Sequence, residues 1–362
     1  MIIGVPREVK EGEERVGMTP SGAGALSGSG HQVLIEEAAG EFCGFADDDY
    51  RQAGAKVTGD QSEIWETSDV VVKVKEPLPE EYAFLREGLT VFAFLHLAAV
   101  PDLARALVES GATGIAYETV QLEDGTLPVL APMSEVAGCI AVQNGAYYLE
   151  AHHGGRGVLL SGISGSPPGR VTVIGGGTAG TNACRVALGM GASVSVIDRS
   201  LQRLEYLRDI FDGRVSTVFS SAGAIQECLL QSDLTIGAVL VPGSKAPKLI
   251  TAKLVEAMQK GSVFFDIDID QGGISETSRP TSHQDPCFIE YGVVHCCIPN
   301  IPAAVPRSAT LALTARTLPY ITAMAEVGIA GAIEADQSLA SGVNVTGGKI
   351  VHPAVAEAVE KG

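Results

Sequence analysis

The sequence predicts an α/β protein of two doubly wound parallel sheets, each flanked by helices and the pair separated by a cleft. Three observations predict it. Short β-branched runs alternate with helix-like segments along most of the 362 residues. One run, Val171 to Ile174, opens into glycines spaced G-x-G-x-x-G at Gly175, Gly177 and Gly180. The length suits two cores better than one.

The first third alternates regularly. Strands are expected at Ile2 to Val5, Gln32 to Ile35, Ala55 to Thr58, Val70 to Val74, Thr90 to Leu95 and Gly114 to Tyr117. Helices are expected at Pro20 to Ser27, Asp47 to Ala53, Ser62 to Glu66, Pro79 to Leu85 and Pro101 to Ser110. Thr19-Pro20 reads as an N-cap followed by proline at the first helical position. A longer helix is expected over Met133 to Ala151, with Ser134 as a candidate N-cap and Gly154-Gly155 past its end. Gly162 to Gly169 is a loop by composition.

The second region repeats the alternation. Its expected strands are Val171 to Ile174, Ser193 to Ile197, Val215 to Phe219, Leu234 to Val239, Val263 to Ile267 and Val293 to Cys297. Six strands suffice for a full dinucleotide-binding sheet. Beyond Pro299 the pattern becomes helical, with Pro319 expected to break or kink the helix. The tail is expected to return to the first domain, the alternative being a helical cap on the second. The expected division is 1–132 with 304–362, and 133–303.

The glycine run has a physical reading. Gly175 permits the tight turn from strand to helix, Gly177 lets backbone approach a pyrophosphate, and Gly180 lets helix pack on strand. The helix start offers unpaired N–H groups to phosphates. Asp198 ends the next strand, where a carboxylate can accept bonds from ribose hydroxyls. Arg199 follows it and could accommodate a 2′-phosphate, but Asp198 would repel that group, so NAD is expected over NADP.

With 46% hydrophobic and 19% charged residues the chain is globular, not disordered. A net charge of -18 argues against nucleic acid and anionic membranes as partners. Seven scattered cysteines without a C-x-x-C favour reduced thiols and a cytoplasmic protein, and the Cys296-Cys297 pair reads as core packing. The apolar runs are too short to span a bilayer, and the N-terminus lacks a cationic leader.

Polar residues just past the strands of the first domain are the candidates for chemistry. His96 follows the apolar run Val91 to Leu95 and suits an acid or base near neutral pH; a hydrogen-bonded core histidine fits its position as well. Lys75 leaves the fourth strand and could equally be a solvated rim charge. Arg15, in a charged loop, taken alone reads as a surface residue. In the second region Asp266, Asp268 and Asp270 follow each other at period two. Three adjacent buried anions repel, so the strand is expected to stop near Asp268, leaving Asp270 as the best acid facing the cleft. No metal site is expected from these aspartates.

These stretches match a known pattern. Gly4-Val-Pro-Arg-Glu with Glu14-Arg15-Val16, Lys73-Val-Lys75-Glu-Pro77 and Phe94-Leu-His96-Leu-Ala-Ala carry it. So do Tyr117-Glu-Thr-Val, Ala131-Pro-Met-Ser134-Glu-Val-Ala-Gly, Ile236-Gly-Ala-Val239-Leu240-Val-Pro-Gly, Ile269-Asp270-Gln-Gly-Gly and Asn300-Ile-Pro-Ala-Ala-Val-Pro306. Over essentially its whole length the chain resembles the alanine dehydrogenase and transhydrogenase nucleotide-binding family.

The resemblance implies reversible NAD-dependent oxidative deamination of L-alanine to pyruvate and ammonium in a cytoplasmic homohexamer. It implies that Arg15 and Lys75 hold the substrate carboxylate and carbonyl, and that His96 and Asp270 do the acid–base work. It implies cofactor contacts at Ser134, Gly175, Gly177, Thr178, Gly180, Asp198, Arg203, Ser220, Val239 and Leu240. Further implied contacts are Ile267, Asp268, Ile269, Asp270, Arg279, Ile298, Pro299, Asn300 and Ile301. Asp268 departs from the small residue expected there, and a second carboxylate beside Asp270 tends to raise the pKa of the pair. The rival readings are a transhydrogenase nucleotide-binding subunit, a saccharopine- or lysine-type dehydrogenase, and a non-catalytic NAD-binding regulator.

Overall fold

The computed structural model describes residues 1–239 and 246–361. Strands β1 (Ile2–Val5), β2 (Gln32–Glu36), β3 (Lys56–Thr58), β4 (Val70–Val72), β5 (Thr90–Ala93) and β6 (Thr113–Ala116) come first. Then follow β7 (Arg170–Ile174), β8 (Ser193–Asp198), β9 (Val215–Phe219), β10 (Leu234–Gly237), β11 (Val263–Asp266), β12 (Cys287–Glu290) and β13 (Val293–Cys296). The last two are β14 (Val343–Thr346) and β15 (Lys349–Ile350). The chain forms two compact units, Met1–Met133 with Val305–Gly362, and Ser134–Ala304.

The first unit holds an eight-stranded sheet in the order β15-β14-β6-β5-β4-β1-β2-β3. Strands β1 to β6 are mutually parallel; β14 runs antiparallel to β6 and β15 to β14. Side chains alternate between the two faces, as a pleated strand requires. Val70 and Val72 enter one buried cluster with Ile3, Val5 and Phe92, while Val71 enters another with Val91 and Leu95. Both faces are thus covered, which is why these strands read as continuous apolar runs. Thr19 caps the helix Pro20–Gly28 by accepting from Gly22 N at 3.1 Å.

The C-terminal tail belongs to this first unit. Pro319 does not break its helix, which runs unbroken from Pro306 to Val327. The reason is packing. Leu313, Thr317, Ile321 and Met324 form a buried stripe running through the proline, and tertiary burial outweighs the loss of one backbone hydrogen bond. Strands β14 and β15 were not anticipated; they read as tail because they are short and lie far in sequence from their partner β6.

The second unit holds a seven-stranded sheet in the order β12-β13-β11-β10-β7-β8-β9. Without β12 this is the 3-2-1-4-5-6 order of a dinucleotide-binding sheet, all parallel. Strand β12 adds an antiparallel edge that the sequence reading missed. It is four residues long and exposes Ile289, so it lacks a buried strand's apolar run. Cys287 on β12 and Cys296 on β13 are register partners joined as a disulfide, so the expectation of thiols throughout fails at this pair. The described cysteines Cys43, Cys139, Cys184, Cys228 and Cys297 are free.

The helix leading into this unit spans Ala131–Tyr148, so Ser134 lies within its first turn and is not its N-cap. Pro132 is tolerated at a helix start, where its missing N–H has no partner to lose. The glycine turn is sterically demanding. Gly175 adopts φ +97°, and a Cβ there would meet Ala238 O at 2.1 Å. A Cβ on Gly180 would meet Gly175 O at 1.9 Å. Replacing Gly180 by alanine must therefore push the helix Thr178–Gly189 off β7, at an expected cost of about 2 kcal/mol or more. Thermal unfolding of Gly180→Ala checks this; an unchanged midpoint would mean the turn has slack that the contact distances deny.

Candidate functional site

In the first unit, the candidate residues cluster at the carboxyl ends of the parallel strands. The turn after β1 carries Glu8, Glu13 and Arg15; the exit of β4 carries Lys73, Lys75 and Glu76; the exit of β5 carries His96. Lys73 is fully buried, its Nζ 3.0 Å from Glu81 Oε1 and 3.3 Å from Glu8 Oε2. Burial opposes its charge, but these two carboxylates outweigh that and raise its pKa. Glu8 also accepts from the backbone N–H groups of Val74, at 2.6 Å, and Lys75, at 3.3 Å. The exit that presents Lys75 is thereby fixed from both sides.

Arg15 is only 2% exposed, which removes the surface-residue reading. Its Nε lies 2.6 Å from Glu13 Oε1, and its Nη2 donates to Glu13 Oε2, a bidentate pair. Its Nη1 faces Met133 Sδ at 3.0 Å. Glu13 offsets much of the Arg15 charge. Lys75 has no hydrogen-bond or ion-pair partner for its ammonium among the described residues. Its pKa is lowered, first by burial and then by the Arg15 guanidinium close by. Two cations held this near each other form a receptor for an anion, with Lys75 its uncompensated part.

His96 is not a core residue: its side chain is 39% exposed. Its Nδ1 lies 3.2 Å from Glu76 Oε2, and its ring stacks on Phe94 at 5.9 Å. Its backbone takes the left-handed conformation, φ +49°, which non-glycine residues rarely adopt. Glu118 compensates by accepting from His96 N at 2.7 Å and Leu95 N at 3.3 Å. Glu76 is nearly buried and bonds Lys10 as well. Burial alone would raise its carboxyl; the hydrogen bonds from His96 and Lys10 outweigh burial and hold it at about 2. The sequence reading passed over Glu8, Glu13, Glu76 and Glu118 as partners. The only sequence signal was their place within the strand-exit motifs.

In the second unit, the glycine turn meets the structural demands of a dinucleotide's phosphates. A Cβ on Gly177 would find nothing within 4 Å, so backbone there is open to a close approach. Gly177 and Thr178 are exposed at the start of a twelve-residue helix whose first N–H groups lack helical partners. Asp198, at the end of β8, accepts from Gly176 N at 2.7 Å and Ser200 N at 2.8 Å. Each oxygen keeps a further lone pair that a ribose hydroxyl can use. Ser220 is placed beside it, donating its N–H to Asp198 O at 2.9 Å. Arg203 turns inward onto the turn itself. It donates to Gly176 O and to Thr181 Oγ1, and lies over the Tyr206 ring at 4.7 Å, so it supports the loop.

The aspartate run splits as the strand ends. β11 stops at Asp266, one residue short of the expected Ile267, and Ile267–Gln271 forms a 3-10 turn. Asp266 accepts from Ile274 N at 2.9 Å, from Asp268 N at 3.2 Å and from Ser278 Oγ. Asp268 accepts from Val239 N and is pushed up to about 7, first by burial and less by Asp266 and Asp270. The raised carboxyl next to Asp270 thus owes more to burial than to the like charge the sequence suggested. Asp270 is exposed, whereas Ile269, Ile298 and Ile301 are buried, so a ligand can meet these three mainly through backbone. Asn300 has φ +55° between Pro299 and the 3-10 turn Ile301–Ala304, and Arg279 lies over the Phe288 ring at 3.8 Å. Ile267 is half-buried beside them. Leu240, also expected at the cofactor, lies outside the described residues.

Comparison with known proteins agrees with this geometry. Residues 4–137 match the model of the alanine dehydrogenase/PNT N-terminal domain, and residues 141–353 that of the C-terminal domain. An alanine dehydrogenase of Halomonas elongata is 52% identical over 99% of this chain and 96% of its own. Alanine dehydrogenase 2 of Staphylococcus aureus is 50% identical over 99% and 97%. A solved L-alanine dehydrogenase superposes with TM-score 0.96 at 48% identity, covering 100% of this chain and 99% of its own. A transhydrogenase from Sinorhizobium meliloti superposes with TM-score 0.84 at 25% identity, over 98% and 100%. By fold, by site motifs and by full-length likeness, the chain belongs to the alanine dehydrogenase/PNT family.

Proposed function

We propose that this chain is an NAD-dependent L-alanine dehydrogenase, interconverting L-alanine with pyruvate and ammonium. The observation that carries the reading is the cation pair of buried Arg15 and half-buried Lys75, beside a His96–Glu76 couple. That combination suits a small acid whose neighbouring atom must exchange protons. The full-length likeness to alanine dehydrogenases favours it over the transhydrogenase reading, and the intact set of polar residues disfavours a silent regulator. Homohexamer assembly and a cytoplasmic location are part of the proposal, by family resemblance. Among the described residues no helix is long and apolar enough to cross a membrane.

Each residue then has a task. Lys75 and Arg15 hold the carboxylate and the developing carbonyl oxygen, where a cation stabilises negative charge as pyruvate is aminated. His96 takes the ammonium proton so that the nitrogen lone pair can assist, and its Nδ1 contact with Glu76 directs Nε2 toward substrate. Asp270 handles the second proton transfer as water adds and ammonia leaves. The first turn of the helix Thr178–Gly189 would hold the pyrophosphate of a bound dinucleotide, and Asp198 its adenine ribose. Bound NAD supplies the acceptor for the α-hydride; the protein orients it and excludes water. NAD is preferred over NADP because Asp198 would repel a 2′-phosphate, although exposed Arg199 stands next to it.

NADH formation from L-alanine tests the reading directly. His96→Ala and Asp270→Asn are expected to lose roughly 100-fold or more in turnover while still binding NADH. Near-normal rates would remove that residue from the mechanism, and comparable efficiency with NADP would overturn the cofactor assignment. Glu76→Gln keeps the shape but removes the carboxylate that holds the His96 ring. Turnover is expected to fall about tenfold with NADH binding unchanged; parental turnover would make Glu76 only a structural partner.

Asp268 makes a stability prediction. Its folded pKa, about 7, lies above the ordinary carboxylate value of 3.8. Its contribution to stability is therefore fully present below about pH 4 and is lost as pH rises through 7. Asp268→Asn retains an acceptor for Val239 N without the buried charge. Its advantage over the parent is expected to grow by on the order of 2 kcal/mol from pH 5 to pH 8. Denaturant unfolding at both values measures this, and an equal difference at both would refute the linkage.

A further inference from the structure

The turn after the helix Ala131–Tyr148 gathers a donor set that alanine oxidation does not use. Glu150 precedes the 3-10 turn Ala151–His153. Its Oε2 lies 3.0 Å from His152 Nε2 and 3.9 Å from His153 Nε2. One ligand atom from each of the three residues lies within 4.8 Å of the others. The two imidazoles are 4.4 Å apart, and Tyr147 packs on His153 at 3.9 Å, which limits that ring's rotation.

The backbone beneath them is tightly tied. His153 N donates to Glu150 O at 3.0 Å, Gly154 N to Ala151 O at 3.2 Å and Gly155 N to Glu150 O at 3.1 Å. Gly154 has φ +89°, and a Cβ on Gly155 would meet Tyr148 O at 2.2 Å. Both glycines are thus required to close the turn under the donors. A site on so constrained a turn is pre-organised, and little chain entropy is lost when a ligand binds.

We propose that Glu150, His152 and His153 form a surface binding site for one divalent transition cation of the zinc class. Two imidazoles and a carboxylate are the donors that such cations select, whereas magnesium and calcium prefer oxygen alone. Four-coordinate zinc with bonds near 2.0 Å has ligand atoms about 3.3 Å apart, and the separations on Glu150 Oε2 bracket that value. Water completes the shell. A simple ion pair accounts for His152 on Glu150 but gives no reason for both imidazole nitrogens to converge on one oxygen. The net charge of -18 adds long-range attraction for a cation. The bound ion clamps the turn that ends the helix Ala131–Tyr148; none of the three ligands belongs to the catalytic set.

Calorimetric titration of the full-length protein with Zn²⁺ tests the site, beside the double variant His152→Asn, His153→Asn and the single variant Glu150→Gln. The parent is expected to bind one equivalent per chain. The double variant is expected to lose that event and Glu150→Gln to weaken it by about tenfold or more, while each oxidises L-alanine at the parental rate. Thermal shift with and without Zn²⁺ gives a second readout, with stabilisation confined to the parent. No one-equivalent event in the parent, leaving an ion pair only, would overturn the proposal. So would undiminished binding in the double variant, which would place the cation on thiols elsewhere.

Discussion

Carboxylates that accept backbone N–H groups at the carboxyl ends of parallel strands hold the candidate residues in place. A parallel strand leaves its last N–H groups unpaired when the chain turns away, and a buried unpaired donor costs on the order of 1–3 kcal/mol. In the first unit Glu8 takes up Val74 and Lys75, and Glu118 takes up Leu95 and His96. In the second, Asp198 takes up Gly176 and Ser200, Asp266 takes up Asp268 and Ile274, and Asp268 takes up Val239. The same contacts that satisfy the backbone aim Lys75 and His96 and shape the glycine turn. Part of the acidic excess is therefore internal and structural, not a solvated surface.

Burying so many carboxylates requires compensation, and its form differs from place to place. Glu8 and Glu81 share Lys73, and Glu13 locks onto Arg15 in a bidentate fork. Glu76 is held by Lys10 and His96. Among the described residues Asp268 meets no cation, only a backbone donor, and burial pushes its carboxyl up to about 7. A neighbouring cation does not decide the outcome by itself: Glu76, bonded to His96 and Lys10, is held low, whereas burial raises the Glu8 carboxyl despite Lys73. Lys75 is the converse case, a half-buried cation whose neighbour is another cation, and its pKa is lowered as a result.

Much of this was legible in the chain itself. The parallel order of both sheets follows from the βα alternation, because parallel neighbours need a crossover between them. The glycine spacing marked the turn, since only residues without a Cβ tolerate the contacts at Gly175 and Gly180. The catalytic candidates were findable because polar residues interrupt apolar strands at their exits. Less legible were Pro319 inside a continuous helix, the edge strand Cys287–Glu290 with its disulfide, and the strands β14 and β15. Each depends on what packs against it, which local pattern does not encode.

The sequence by itself determined the fold class, the family motifs and which side chains could do acid–base or anion-binding work, because these rest on local periodicity and residue chemistry. Only the tertiary structure decided that Arg15 is buried against Glu13, that His96 is strained and leans on Glu76, and that Glu150 meets two imidazoles. The physical reason is that charge state, strain and convergence are properties of neighbours in space. Residues separated by many positions, such as His96 and Glu118, acquire a relation only when the strands that carry them lie side by side.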